Sequence, residues 1–562
     1  MKRPALSSLA LLLSTLSAPA SMELPSDLIP PHRVDTAAEP TAPGPFRPEW
    51  SSLAGYGAAP DWFRDAKFGI WAHWGPQCQP EAGDWYARHA YVQGHPSYET
   101  HLVRYGHPSK AGFKEVIHAW KAERWDPDAL VELYRRCGAR YFFAMANHHD
   151  NLDLWASRHH PWNSVRVGPG KDLIAGWAAA ARRAGLPFGV SVHSAHAWLW
   201  YEPAQGADQN GPLAGVPYDG RLTLADGRGQ WWEGLDPRKL YAQDHTPSPG
   251  FENAGAIHAR WNWGAGASVP DAAYCQDFHD RTVDLIRRYQ PELIYFDDTA
   301  LPLWPVSDAG LRVAAHFYNQ NLALSEGRSA GVLLGKILAP DQKTALVWDI
   351  EKGVPPDTQA QPWQTDTCLG GWHYDRDVYT RDRYKSAATV IRMLADIVSK
   401  NGNLLLNVPV RGDGTIDEKE TAIVEAIGAW LAVHGEAIYG TRPWRVFGEG
   451  PASAGAALSA QGFNEGKGRP FTGEDVRYTA AQDGRTLYVI ALGVPAAPLR
   501  LAALGLQPAA SHVTAVSLLG SAAPVRWEQT ETHLVLNLPA GEATSDAAVV
   551  FKLSLRPSPP GL

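Results

Sequence analysis

From about residue 55 to 440 the chain alternates short apolar runs with stretches of helical rhythm. The runs are FGIWAHW (68–74), YFFAMANHH (141–149), PFGVSVH (187–193), LIYFDD (293–298), ALVWDIE (345–351) and NLLLNV (403–408). Between them, residues 127–139, 172–185 and 277–290 place apolar side chains at helical spacing with a charged opposite face. Near-continuous apolar strands alternating with amphipathic helices predict a parallel sheet covered by helices. The six plain runs fall short of the roughly eight strands of a closed barrel. The expectation is therefore an irregular (β/α)8-type barrel over 55–442.

The pattern then changes. From about residue 445, segments such as TLYVIALG, VTAVSLLG and HLVLNLPA alternate apolar and polar positions between Gly, Pro and Ala turns. This predicts a β-sandwich over 443–562. Residues 194–275 are Gly- and Trp-rich and weakly periodic, as a functional loop or lid is. Residues 21–54 are rich in Pro and Ala and read as a surface segment. The first 20 residues carry Lys2 and Arg3, a short apolar stretch and Ala18-Pro19-Ala20, the layout of a secretory signal cut after Ala20. No later stretch is apolar for long enough to span a membrane. The expectation is an exported protein, periplasmic or secreted.

Composition narrows the class. Charged residues make up 20% of the chain, hydrophobic residues 45%, and the net charge is −8, without a basic block that would suit nucleic acid. Cys78, Cys137, Cys275 and Cys368 are too widely spaced to mark a zinc ribbon or a disulfide scaffold. The 23 Trp residues often sit near Gly, His and Asp, which suits flat ligand walls as well as core filling.

The strand ends carry the candidate chemistry. His73, His148, His149, His193, Asp297, Asp298, Asp349 and Glu351 all close apolar runs. In a barrel such ends converge on one face, where sites are built. Asp297 and Glu351, on different strands, are what glycoside hydrolysis asks for: one carboxylate attacks the anomeric carbon, the other protonates the leaving oxygen. A Glu that must hold a proton wants apolar or like-charged surroundings, and Trp348 and Asp297 can supply both. Asp298 reads equally well as a helix N-cap, and Glu351 as a surface partner of Lys352. Two adjacent histidines on a regular strand point to opposite faces, so His148 and His149 suit hydrogen bonds to sugar hydroxyls better than a shared metal. No metal or organic cofactor is called for.

Six stretches in order, KFGIWAHWGPQ, GDWYARHAY, ANHHDNLDLWASRHHPWN, LIYFDD, PWQTDTCLGGWHY and NGNLLLNVPVRGDGTI, together resemble the retaining α-L-fucosidase family of glycoside hydrolases. The resemblance spans about 65–420 and implies an irregular barrel followed by a β-sandwich. It implies Asp297 as nucleophile and fucose contacts from His73, His148 and His149. It extends to Asp84-Trp85, where the family has Glu-Trp, to Tyr295, where the family usually has Trp, and to His193 and Trp363. Many members have Trp-Glu where this chain has Trp363-Gln364, and an amide cannot donate a carboxylic proton. Glu351 is then the acid/base, with Asp349 and Asp366 in reserve, and Asp150 orients the histidines. The substrate implied is a fucosylated glycan. An α-galactoside-like sugar sharing the axial 4-hydroxyl and a non-catalytic carbohydrate-binding barrel stay open.

Overall fold

The computed structural model describes residues 23–556 except 58, 244, 454–462, 507–511 and 544, so the expected signal peptide lies outside the described residues. Eight parallel strands close a barrel in sequence order: β1 (Phe68–Ala72), β2 (Phe142–Asn147), β3 (Phe188–Val192), β4 (Leu293–Thr299), β5 (Val332–Lys336), β6 (Val347–Glu351), β7 (Trp363–Cys368) and β8 (Gly402–Asn407). Six coincide with the apolar runs. The two extra strands are β5, short and preceded by the Gly- and Ser-containing stretch that ends at Gly331, and β7, whose inward residues Gln364 and Asp366 are polar.

The helices begin where the sequence offers caps. Asp126, Asp172 and Asp271 accept backbone N–H groups of Ala129, Ala175 and Tyr274 at the starts of helices Pro127–Arg136, Leu173–Arg183 and Ala272–Tyr289. Their apolar faces pack on the outside of the barrel.

Inside, the period of two along each strand builds layers. Leu293, Val332, Val347, Tyr141, Phe143 and Leu405 belong to one buried apolar cluster at the bottom. Gly69 and Gly189 make room for the large rings, since a Cβ on either would fall 2.2 Å from Tyr141 or 2.6 Å from Phe143. Register pairs Leu293 with Val332 and Tyr295 with Leu334, then Lys336 with Asp349 and Glu351 with Asp366. Moving up the strands, the same inward face thus changes from aliphatic to charged. The charged layer is the mouth.

The C-terminal part comprises β9 (Arg442–Glu449), β10 (Val476–Ala480), β11 (Thr486–Ala491), β12 (Leu499–Leu501), β13 (His512–Leu518), β14 (Arg526–Gln529), β15 (Leu534–Asn537) and β16 (Val549–Arg556). They form antiparallel sheets ordered β13-β16-β11-β10-β9 and β12-β15-β14 around a shared apolar core that includes Val489, Leu534 and Phe551. Buried Arg477 binds Asp396 of the barrel at 2.5 Å, and Trp430 donates to Ala548 O at 3.0 Å, fixing the sheets to the barrel. The four cysteines are buried and unpaired. Among the described residues no helix is long and apolar enough to cross a membrane.

Candidate active site

A cavity of about 490 Å³ opens at the carboxyl ends of the strands. Its walls include Trp71, Trp85, Trp261, Trp348 and Trp372, while most other Trp side chains fill the core. Asp297 stands near its floor. Its Oδ2 accepts from His149 Nε2 at 3.1 Å and His193 Nδ1 at 3.3 Å, and its Oδ1 accepts from Lys336 Nζ at 2.7 Å. Burial alone would raise the Asp297 carboxyl. The Lys336 ammonium and the two imidazole hydrogen bonds outweigh it and hold this carboxyl well below the usual range. Asp297 is an ionised carboxylate at neutral pH.

Lys336, the last residue of β5, also donates to Glu351 Oε2 at 2.5 Å, and Trp372 Nε1 donates to Glu351 Oε1 at 3.2 Å. One ammonium therefore joins the two carboxylates. Glu351 shares the cavity with the expected Trp348 and Asp297, but it also lies beside a cation and an indole N–H that the sequence did not reveal, and its ion pair is with Lys336. Burial opposes charge on Lys336, but Asp297 and Glu351 reverse the effect and raise its pKa well above the usual value.

The histidines are arranged by an irregular strand end. β2 shifts register between Met145 and Asn147, and Asn147 Oδ1 accepts the backbone N–H groups of His193 and Ser194 at 3.1 and 3.2 Å. Past this point His148 lines the cavity and His149 lies beside it, bonded to Asp297, with ring centroids 4.4 Å apart, so the opposite-face rule for a regular strand does not apply. Gln77 Nε2 donates to His148 Nδ1 at 2.8 Å, which leaves Nε2–H of His148 free to donate. Asp150 is wholly buried, accepts from Leu152 N at 3.3 Å and interacts with the Gln77 amide, so it reaches His148 through Gln77. Burial drives His73 and His148 well below the usual imidazole range and His193 down to about 4. Neutral imidazoles can both give and accept hydrogen bonds to hydroxyls.

Ring nitrogens of His73, His148 and His193 lie within 4.8 Å of one another, as do ligand atoms of His149, His193 and Asp297. Both nitrogens of His193 are already engaged, by Asp297 at 3.3 Å and the Ser191 hydroxyl at 3.0 Å, and Gln77 holds one of His148. The set is built as a hydrogen-bonding surface.

Family models described as Alpha-L-fucosidase and Alpha-L-fucosidase C-terminal domain match residues 34–436 and 469–554. The chain belongs to the alpha-L-fucosidase family. It is similar to tissue alpha-L-fucosidase of Bos taurus, 26% identical over 460 residues covering 78% of this chain and 80% of that protein. It is also similar to an alpha-L-fucosidase of Branchiostoma floridae, 24% identical over 500 residues, with 86% and 89% covered. Its fold is similar to that of the Thermotoga maritima alpha-fucosidase solved with fucose, at 22% identity and a TM-score of 0.62, covering 90% of this chain and 100% of that one. This alpha-L-fucosidase is thus a glycoside hydrolase acting on fucosylated substrates.

Within the fucosidase mouth, His73, Asp84, Trp85, His148, His193, Tyr295, Asp297 and Glu351 all line the cavity, and His149 reaches it through Asp297. Asp84 has a second task. It accepts the backbone N–H groups of His373 and Trp372 at 2.7 and 3.2 Å, seating the loop that carries Trp372. Trp363 is the exception. It alternates with inward Gln364, so it points outward, packs against Gly402 and donates to Lys400 O at 2.9 Å; it belongs to the barrel wall and not to the sugar site. Asp298 is not an N-cap either, being buried against His196 at 2.8 Å. The sequence reading missed Lys336, Gln77, Trp372, His258 and Trp261; the last two come from the 194–275 segment, where Trp85 stacks over His258 at 5.2 Å.

The reserve acids sit one layer below. Asp349 and Asp366 also line the cavity but have relative exposures of 1% and 0%, whereas the Glu351 side chain is 23% exposed, so Glu351 is the most accessible of the three acids. Gln364 is the spacer of this layer: its Nε2 donates to Asp349 Oδ2 at 2.8 Å, and its Oε1 accepts from Tyr141 at 2.9 Å. Tyr295 donates to Asp366 Oδ2 at 2.8 Å. The remaining oxygens of the pair, Asp349 Oδ1 and Asp366 Oδ1, have no hydrogen-bond partner, and the charge of each carboxylate disfavours ionisation of the other. Burial raises Asp366 to about 6, and burial with the charge of Asp366 raises Asp349 well above the usual range.

A folded-state pKa above the unfolded value makes a carboxyl stabilising at low pH, an effect lost as pH rises through the folded pKa. Asp349→Asn keeps an acceptor for Gln364 and offers an N–H to Asp366. Its Tm gain over the parent is therefore expected to be about 1–2 °C larger at pH 8 than at pH 5, measured by calorimetry. An equal or smaller gain at pH 8 would contradict the raised pKa of Asp349.

Proposed function

We propose that the chain is an exported, exo-acting α-L-fucosidase that works with retention of configuration through a covalent fucosyl-enzyme. The observation that carries this reading is the Lys336 ammonium held at 2.7 Å from Asp297 and 2.5 Å from Glu351. The nearest oxygens of the two carboxylates are then no more than roughly 5 Å apart, the spacing of a retaining pair and too close to admit the water of an inverting one.

In the first step an Asp297 oxygen forms a bond to the anomeric carbon while the bond to the leaving oxygen breaks. Glu351 passes its proton to that oxygen. The neutral imidazoles of His73 and His148 hold ring hydroxyls, and the aromatic walls enclose the C6 methyl group. In the second step Glu351 takes a proton from water, the water oxygen bonds to the anomeric carbon, and the ester to Asp297 breaks. Lys336 suits this exchange of roles. While Asp297 is a free carboxylate the ammonium is shared between it and Glu351; once Asp297 is esterified, the ammonium faces Glu351 alone.

Glu351→Gln is expected to lower kcat/KM on a fucosyl disaccharide by on the order of 10³ while sparing most of the rate on fucosyl fluoride, whose departing group needs little proton assistance. Steady-state kinetics on the two substrates checks this, and equal losses would remove Glu351 from the role. Export rests on the amino-terminal 20 residues. N-terminal sequencing of the protein recovered outside the cytoplasm should begin at Ser21, and an intact Met1 would argue against it.

A further inference from the structure

Phe463 lines the active-site cavity although it belongs to the C-terminal part, between β9 and β10. It is 57% exposed, so the fold gains little by placing it there. The residues after it are clamped to the strand end that carries Glu351. Asn464 exchanges hydrogen bonds with the backbone of Val354, accepting from its N–H at 3.0 Å and donating to its carbonyl at 2.8 Å. Glu465 N donates to Lys352 O at 2.8 Å, and the Glu465 carboxylate binds Lys385 at 2.7 Å and the Thr367 hydroxyl at 2.5 Å. This clamp holds Phe463 in the left-handed region, at φ 26°, a conformation unfavourable for a bulky residue that must be maintained by its surroundings. Phe463 and Asn464 lie between the two family matches, 34–436 and 469–554.

The side of the cavity matters. A general acid stands where the leaving oxygen departs. With Glu351 in that role, the rim formed by Lys352, Trp348 and Phe463 receives the sugar that leaves, and Asp297 with the histidines receives fucose. An aromatic face open to solvent beside this exit matches the C–H face of a pyranose ring.

We propose that Phe463 is a leaving-group platform: it stacks on the hexopyranose ring to which fucose is attached and sets a preference for glycan over small aglycones. The inference rests on Glu351 as the acid. Its test is the ratio of kcat/KM for a fucosyl disaccharide to that for fucosyl fluoride, whose leaving group is a single atom. In Phe463→Ala this ratio is expected to fall about tenfold, the loss of one stacked ring, and in Phe463→Trp to return to near the parent value. An unchanged ratio in Phe463→Ala would overturn the platform, as would an equal fall in Phe463→Trp, which would mark a packing effect. Glu351→Gln run in parallel separates the two readings. If its ratio holds at the parent value the acid assignment fails, whereas the platform stands or falls on the Phe463 variants alone.

Discussion

Asp297→Ala is expected to fold normally and to lose on the order of 10⁴-fold or more in kcat on an aryl α-L-fucoside. The fold survives because the substitution strands no charge: Lys336 keeps Glu351 at 2.5 Å, and His193 is neutral once buried. Activity does not survive, because no other carboxylate can take over. Asp298, next in sequence, points away to His196 at 2.8 Å, and Asp349 and Asp366 are buried and held by Gln364 and Tyr295 at 2.8 Å each. The vacated volume lies against the anomeric carbon, so added azide should restore part of the turnover and release β-fucosyl azide, seen by NMR. Full turnover in the variant without azide would refute the assignment.

The second large effect is expected at Lys336. Lys336→Met leaves two carboxylates sharing a small, poorly solvated space, and like charges so placed cannot both stay ionised at low cost. The sign follows from Asp297, whose carboxyl is kept well below the usual range chiefly by this ammonium against the opposing effect of burial. Without it the Asp297 pKa rises, and the nucleophile is protonated over a pH range in which the parent enzyme is active. A kcat/KM–pH profile should therefore show the acidic limb displaced to higher pH, with a loss of about 10²–10³ at neutral pH that is smaller on the alkaline side. Lys336→Arg keeps the charge and should recover part of both. An acidic limb at the parent position in Lys336→Met would show that Lys336 does not tune the nucleophile.

Much of this site was legible in the chain because a barrel strand marks its own carboxyl end. An apolar run that stops at an ionisable residue has to bring that residue to the mouth, and Asp297, Glu351, His73 and His193 were readable for that reason. The same rule applies to Val332–Lys336, but its apolar run is only three residues long before Gly335 interrupts it, too short to stand out as a strand. β7 was hidden by its own function. Its inward Gln364 and Asp366 are polar because they build the layer beneath the carboxylates, and that polarity erased the apolar signal used to find strands. Trp363 failed for a simpler reason: it starts a strand whose next residue faces inward, so it faces out. Contacts across the mouth, such as Gln77 on His148 or Asn464 on Val354, join residues far apart in sequence and leave no local periodic trace.

The central claim is that Asp297 becomes covalently fucosylated under the charge control of Lys336. Its most direct test is to inactivate the enzyme with a 2-deoxy-2-fluorofucosyl fluoride, which forms the ester faster than it is hydrolysed, then digest and sequence the labelled peptide by mass spectrometry. The account predicts one added 2-fluorofucosyl group, on Asp297, lost on slow reactivation. A label on Glu351 or another side chain, or steady turnover with no adduct, would contradict it.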